Sequence, residues 1–184
     1  MPEMAGEWCL PPVPPKRKPG SREAKNLKIT SKDLALTAIF AALYVALVYA
    51  FSPIAFNVAQ FRIAGALRPG IARKWILALG YGIGVVIANF FSPFAGPWDL
   101  LFMPTMSVLA GMLAYLIAKR FSHNYFIAGA VIATVISVSL SFMFSQLFIS
   151  PMLVALPYLF VVEQMVCLIG AVVFRLIEVR FKWW

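Results

Sequence analysis

Polar residues gather at three places in a chain that is otherwise almost continuously apolar. Gln60, Phe61 and Arg62 form the first group. The second runs from Asn89 to Asp99 (Asn-Phe-Phe-Ser-Pro-Phe-Ala-Gly-Pro-Trp-Asp), and Glu163-Gln164 form the third. A carboxylate accepts hydrogen bonds, a guanidinium donates them in a planar fork, and an amide such as Asn89 does both. With the rings of Phe61, Phe94 and Trp98 added, these residue types suit a small, flat, polar molecule. The usual apparatus of covalent chemistry is missing. His123 is the single histidine, so there is no multi-histidine metal site and no Ser-His-Asp arrangement. Cys9 and Cys167 are not in CxxC spacing and point to neither a disulfide framework nor a metal site. A Gly-x-x-x-x-Gly-Lys-Ser/Thr phosphate loop is also absent, which removes ATP hydrolysis by that chemistry.

The elements that position these groups follow from hydropathy. Of 184 residues, 62% are hydrophobic and 12% charged, with a mean hydropathy of +0.86. A soluble domain carries about 25% charged residues, so this surface is suited to lipid. Five stretches are long enough to cross a hydrocarbon core of roughly 30 Å: Leu34–Phe51, Trp75–Phe91, Leu100–Ala118, Tyr125–Ile149 and Met152–Phe174. The chain reads as one polytopic membrane domain over residues 33–184. Before it, residues 1–32, with Pro11-Pro-Val-Pro-Pro15 and a basic run, read as a disordered cytoplasmic arm rather than a signal peptide.

A net charge of +9 raises the question of nucleic acid, but its placement answers otherwise. Seven of the sixteen Lys/Arg precede the first apolar stretch (Lys16, Arg17, Lys18, Arg22, Lys25, Lys28 and Lys32), and the rest cluster at segment ends. That is the pattern that holds loops on the cytoplasmic side, with a basic tail able to touch anionic lipid. Five spans beginning inside would leave Lys119-Arg120 and the Arg175/Arg180/Lys182 end outside. One further short span between Phe56 and Leu67 restores the rule. Arg68, Arg73 and Lys74 then fall inside, Ser92–Trp98 outside, and both termini in the cytoplasm. The expected fold is therefore an all-α bundle of six transmembrane helices. The inserted segment carries Asn57, Gln60 and Arg62, so its backbone must be buried in protein or line a cavity. Short broken segments of this type build transporter binding sites, and Pro53 and Pro69-Gly70 supply the breaks.

Several residues have two roles open to them. An acidic group at membrane depth costs about 2.5–3.5 kcal/mol, so Glu163 requires a partner or a proton. Either Arg62 pairs with it, or a ligand edge donates two hydrogen bonds to it, or the two alternate. Asp99 either caps the following helix or binds ligand. Phe61, Phe94 and Trp98 either stack on a planar ligand or anchor the chain at the membrane interface. Ala38, Ala42, Ala46 and Ala50 form a small-residue ridge that another helix can approach closely, within the bundle or outside it. Gly80-Tyr-Gly-Ile-Gly84 contains a GxxxG step and reads as packing. Ala128, Gly129, Ala130, Ala133, Ser137, Ser141 and Ser145 mark a mainly structural span, with hydroxyls bonding across helices or to their own helix. His123 is expected to be solvated in a short loop.

Taken together, Gln60-Phe-Arg62-Ile-Ala, the Ile87-to-Asp99 block and Val161-Val-Glu163 with Gly170 resemble the QueT family over roughly residues 34–174. Its members are substrate-binding (S) components of energy-coupling factor (ECF) transporters, associated with precursors of the tRNA base queuosine. The resemblance implies a six-helix bundle that captures its substrate from outside. It then docks on a transmembrane coupling subunit that bears two cytoplasmic ATPases, so this chain needs no cofactor of its own. The first-helix ridge at Ala38, Ala42 and Ala46 would contact the coupling subunit. A 7-deazaguanine fits the residue types: Glu163 can take its adjacent N–H donors, and Asn89, Gln60 or Arg62 can donate to its exocyclic oxygen. Many relatives carry Glu shortly after the Phe-Arg pair, where this chain has Gly65. A missing carboxylate there favours a neutral nitrile analogue over a cationic aminomethyl one, or another vitamin-like substrate. The rivals from other classes are an intramembrane enzyme using Asp99 and Glu163 as acid and base, and a scaffold whose buried charges only pair with each other.

Overall fold

The structure, a computed structural model, describes residues 29–55, 61–93 and 95–184. The basic arm expected over residues 1–32 lies almost wholly outside the described residues, as do Gln60, Phe94 and Cys9. The described residues are helical and contain no strand. The long helices are α1 (Ser31–Ala50), α3 (Leu77–Asn89), α4 (Met103–Arg120), α5 (Tyr125–Gln146) and α6 (Met152–Arg180); α2 (Ser52–Ala55) is a single turn. A 3-10 segment (Ile63–Ala72) precedes α3, and a π turn (Trp98–Phe102) leads into α4.

Among the described residues, four helices are long and apolar enough to span a membrane: Ser31–Ala50, Trp98–Arg120, Tyr125–Gln146 and Met152–Arg180. The stretch expected over Trp75–Phe91 forms α3, which at 13 residues is about 20 Å long and shorter than the hydrocarbon core. Of the short span expected between Phe56 and Leu67, residues 56–60 lie outside the described residues, and Ile63 to Leu67 form the first half of a 3-10 helix that runs on to Ala72.

That ten-residue 3-10 run is exceptional, because its hydrogen-bond geometry is poorer than an α-helix's and runs beyond three or four residues are uncommon. Tertiary contact holds it. The segment touches α1, α3, α4, α5 and α6, and Ala64, Arg68, Pro69, Gly70, Ile71 and Ala72 are all buried. Consecutive long helices pack as neighbours: α1 on α3, α3 on α4, α4 on α5, and α5 on α6. The 3-10 segment sits against all five as a central plug.

The packing is close where the sequence is small. A Cβ on Gly80 would lie 2.8 Å from the Thr37 carbonyl oxygen of α1, and one on Gly82 would lie 2.3 Å from Val108 Cγ2 of α4. The glycine run thus lets α3 approach helices on two sides, as the packing reading expected. In α5 the hydroxyls of Thr134, Ser137, Ser139 and Ser141 donate to carbonyls three or four residues back in their own helix. Thr37, Phe40, Ala41, Tyr44 and Val48 are the buried face of α1. Ala38, Ala42, Ala46 and Ala50 lie on its exposed face, so the ridge packs against nothing within the described bundle.

Candidate functional site

Among the described residues the buried charged groups, with Asn89, fall into two clusters, both next to the non-α turns. Such turns recur at functional sites, because they break the regular ladder and leave side chains at unusual angles. The first cluster joins the 3-10 segment to α6. Buried positions in α6 fall at Ala155, Leu159, Glu163, Val166, Cys167, Gly170 and Ala171, a single stripe, and Glu163 is its one charge. Its carboxylate Oε2 takes a hydrogen bond and ion pair from Arg68. Glu163 is 2% exposed and Arg68 1%.

This corrects two expectations. Glu163 pairs with Arg68, not Arg62, and Arg68 is a core residue rather than a cytoplasmic loop charge. Winding explains both. At about 2 Å rise per residue, six residues of 3-10 chain separate Arg62 from Arg68 by roughly 12 Å, so only one can reach Glu163. Residues three apart eclipse in a 3-10 helix, which puts Gly65 over Arg68. A Cβ at Gly65 would meet the guanidinium carbon at 3.2 Å and Val166 Cγ1 at 3.1 Å. The Arg68 guanidinium also lies 5.4 Å from the centre of the Tyr81 ring, a cation–π distance. Oε1 of Glu163 has no hydrogen-bond partner among the described residues.

The second cluster joins the end of α3 to the π turn. Asn89 Nδ2 donates to the Asp99 backbone oxygen at 3.0 Å and to its carboxylate Oδ1 at 2.7 Å. Both residues are fully buried. Arg62 and Ser92 stand close enough to act on the Asp99 carboxylate, Arg62 through its charge and Ser92 through a hydrogen bond. Capping is not what Asp99 does. It is the second residue of the π turn, whose N-cap is Pro97, and the carboxylate turns inward to Asn89. Asn89 Oδ1 is left as a second buried acceptor without a partner among the described residues.

Of the rings considered, Trp98 packs edge-on against Phe102 and Phe142, with centroids 5.5 and 5.8 Å away. An open apolar groove of about 400 Å³ runs over Pro97, Trp98, Leu101, Phe102 and Thr105. Phe61 is half-buried at the start of the 3-10 segment. His123 is not simply solvated: its Nδ1 lies 2.7 Å from the Ala72 carbonyl oxygen. No group of three or more His, Cys, Asp or Glu among the described residues is arranged to hold a metal ion. The structure therefore brings Asn89 and Asp99 together with Arg62, sets Glu163 on Arg68, and adds Arg68 and Tyr81, neither of which was a candidate.

A sequence model of the QueT transporter family matches residues 34–179. The chain belongs to the QueT transporter family. It is a multi-pass membrane protein of a transporter family, and both polar clusters lie inside the matched span. No curated protein and no solved structure matches it. In this QueT chain Arg68 was hidden from sequence reading by its company. It precedes Pro69-Gly70 and stands near Arg73 and Lys74, which makes it look like one more cation of a loop.

Proposed function

We propose that this chain is the substrate-binding component of an ECF-type importer, with six membrane segments and both termini cytoplasmic, and that its substrate is a queuosine precursor of the 7-deazaguanine class. One observation carries the substrate reading: the buried Glu163 carboxylate, held by Arg68 on one oxygen and without a partner on the other. A buried acceptor left unsatisfied costs about 1–3 kcal/mol, and a ligand that donates an N–H there removes that cost. The guanine-like edge of a 7-deazaguanine presents such donors. Asn89 Oδ1 offers a second acceptor, and Gln60, Phe61, Arg62, Phe94, Trp98 and Asp99 complete the proposed set.

Arg68 sets the character of the site. It occupies one oxygen of the Glu163 carboxylate and leaves the other open to a donor. The exposed alanines of α1 support docking on a transmembrane coupling subunit through Ala38, Ala42 and Ala46. Two cytoplasmic ATPases bound to that subunit would hydrolyse the ATP and tilt this bundle to expose the site inward, a rigid-body form of alternating access.

The test is calorimetric titration of the detergent-purified protein with deazapurine precursors, with guanine and riboflavin as controls. Tight, selective binding that is lost in Glu163→Gln, with the variant still folded, is the expected result. Absence of binding to any deazapurine by folded protein would reject the substrate assignment. A scaffold is favoured by one feature, the internal pairing of Arg68 with Glu163, and it predicts folded wild-type protein that binds no deazapurine.

A further inference from the structure

Away from both polar clusters, a cavity of about 360 Å³ opens where α4 ends, α5 begins and α6 ends. Its polar lining includes Arg73, His123, Asn124, Tyr125, Arg175 and Glu178. Glu178 is already neutralised by an ion pair with Arg73. Arg73 is further held by the Tyr125 hydroxyl at 3.1 Å and lies over the rings of Tyr125 and Trp184 at 5.1 and 4.4 Å. Arg175, by contrast, makes no hydrogen bond or ion pair among the described residues, and it is exposed. The cavity therefore carries one surplus positive charge. It also faces the N-terminus of α5, where Asn124 caps the Phe126 N–H and the positive end of the helix dipole favours an anion. Lys119 and Arg120, the last residues of α4, add to the positive field.

Depth says which anion. At 1.5 Å per residue, the 29 residues of α6 run about 43 Å, against a hydrocarbon core of roughly 30 Å and a full bilayer of 40–45 Å. The last turns of α6, with Arg175 and Glu178, thus reach the headgroup layer, and Trp183 and Trp184 follow as interfacial aromatics. The lining also includes apolar side chains, Phe121, Phe126 and Val179. Charged and apolar side chains together at headgroup depth suit an amphiphile. We infer that this cavity binds the phosphate of an anionic phospholipid headgroup through Arg175, with the acyl chains against these apolar side chains. The inference does not depend on the identity of the transported substrate.

The experiment compares wild type, Arg175→Gln and Arg175→Lys, purified from lipid mixtures containing equal phosphatidylglycerol and phosphatidylcholine. Bound lipid is counted by native mass spectrometry. A basic residue near the bilayer surface contributes enough that its loss lowers anionic-lipid retention about fivefold. Arg175→Gln should therefore keep about a fifth of the phosphatidylglycerol, Arg175→Lys should keep most of it, and both should keep the wild-type melting temperature because Arg175 is exposed. Equal retention in wild type and Arg175→Gln, or no preference for phosphatidylglycerol, overturns the inference. A parallel titration with inorganic phosphate separates the sources: an Arg175-dependent response to phosphate without lipid preference would assign the site to a soluble phosphate and reject the lipid.

Discussion

Arg68 and Glu163 should contribute little as a pair and cost much when separated. Both are nearly free of exposure, so removing one leaves the other as an uncompensated buried charge, at a cost of about 3–5 kcal/mol. Arg68→Met and Glu163→Met are the single perturbations. In a chain of this size 1 kcal/mol moves the melting temperature by about 2–4 °C, so each single variant should melt roughly 6–20 °C below wild type. The double variant Arg68→Met/Glu163→Met removes both charges together and fills the space with flexible apolar side chains. Replacing a buried ion pair in this way is often neutral or stabilising, so the double variant should return to within about 2 kcal/mol of wild type. Thermal unfolding of detergent-purified protein, followed by intrinsic fluorescence, reads the cycle. Losses that simply add would refute the reasoning, since they would mean that the two residues act independently. The same double variant also separates structure from binding. It should be folded and bind no deazapurine, and wild-type affinity would remove Glu163 from the ligand site.

Gly170→Ala should destabilise by about 1–3 kcal/mol, an overpacking cost, because its Cβ would lie 2.0 Å from the Ala66 carbonyl oxygen and the 3-10 segment would have to move; an unchanged melting temperature would contradict the packing of α6 on that segment. Asn89→Ala should cost about 1–3 kcal/mol by stranding the buried Asp99 acceptors, and Asn89→Asp should cost more by setting two carboxylates side by side. Equal melting of the two variants would show that Asp99 is not held through Asn89. Ala42→Trp should weaken co-purification with a coupling subunit and leave substrate affinity unaltered, since Ala42 is exposed on α1; undiminished co-purification would take the ridge out of docking.

How far the sequence could be read depended on range. Long apolar runs reported the spanning helices well, because hydropathy is a local sum: α1, α4, α5 and α6 all begin within a few residues of the expected stretches. Charge balance asked for a further short segment between Phe56 and Leu67, and the described end of that stretch belongs to the 3-10 segment Ile63–Ala72. Its winding was not legible, because a 3-10 run this long is held by five neighbouring helices and no residue in it prefers that geometry by itself. The pairing of Glu163 went wrong for the same reason. Choosing between Arg62 and Arg68 requires the rise per residue of a segment whose winding only tertiary contact sets. A cap was one of the two roles open to Asp99, because acids before helices usually are caps, yet the π turn begins one residue earlier and the carboxylate bonds Asn89. The membership of the polar clusters was largely visible because charge in an apolar chain stands out, whereas Tyr81 was invisible as one aromatic among many.

The span of chain between Arg68 and its partner has a consequence for biogenesis. The two residues are 95 positions apart, and Arg73 is 105 from Glu178. At about 5–20 residues per second, a ribosome needs roughly 5–20 s to reach Glu163 after Arg68 has been made. During that interval the ten-residue 3-10 segment is too short to span lipid, and the counter-ion of Arg68 does not yet exist. It must wait at the translocon or the membrane surface while α3, α4 and α5 insert. The plug of the bundle is thus synthesised early and seated last, when α6 arrives with the carboxylates that lock it in.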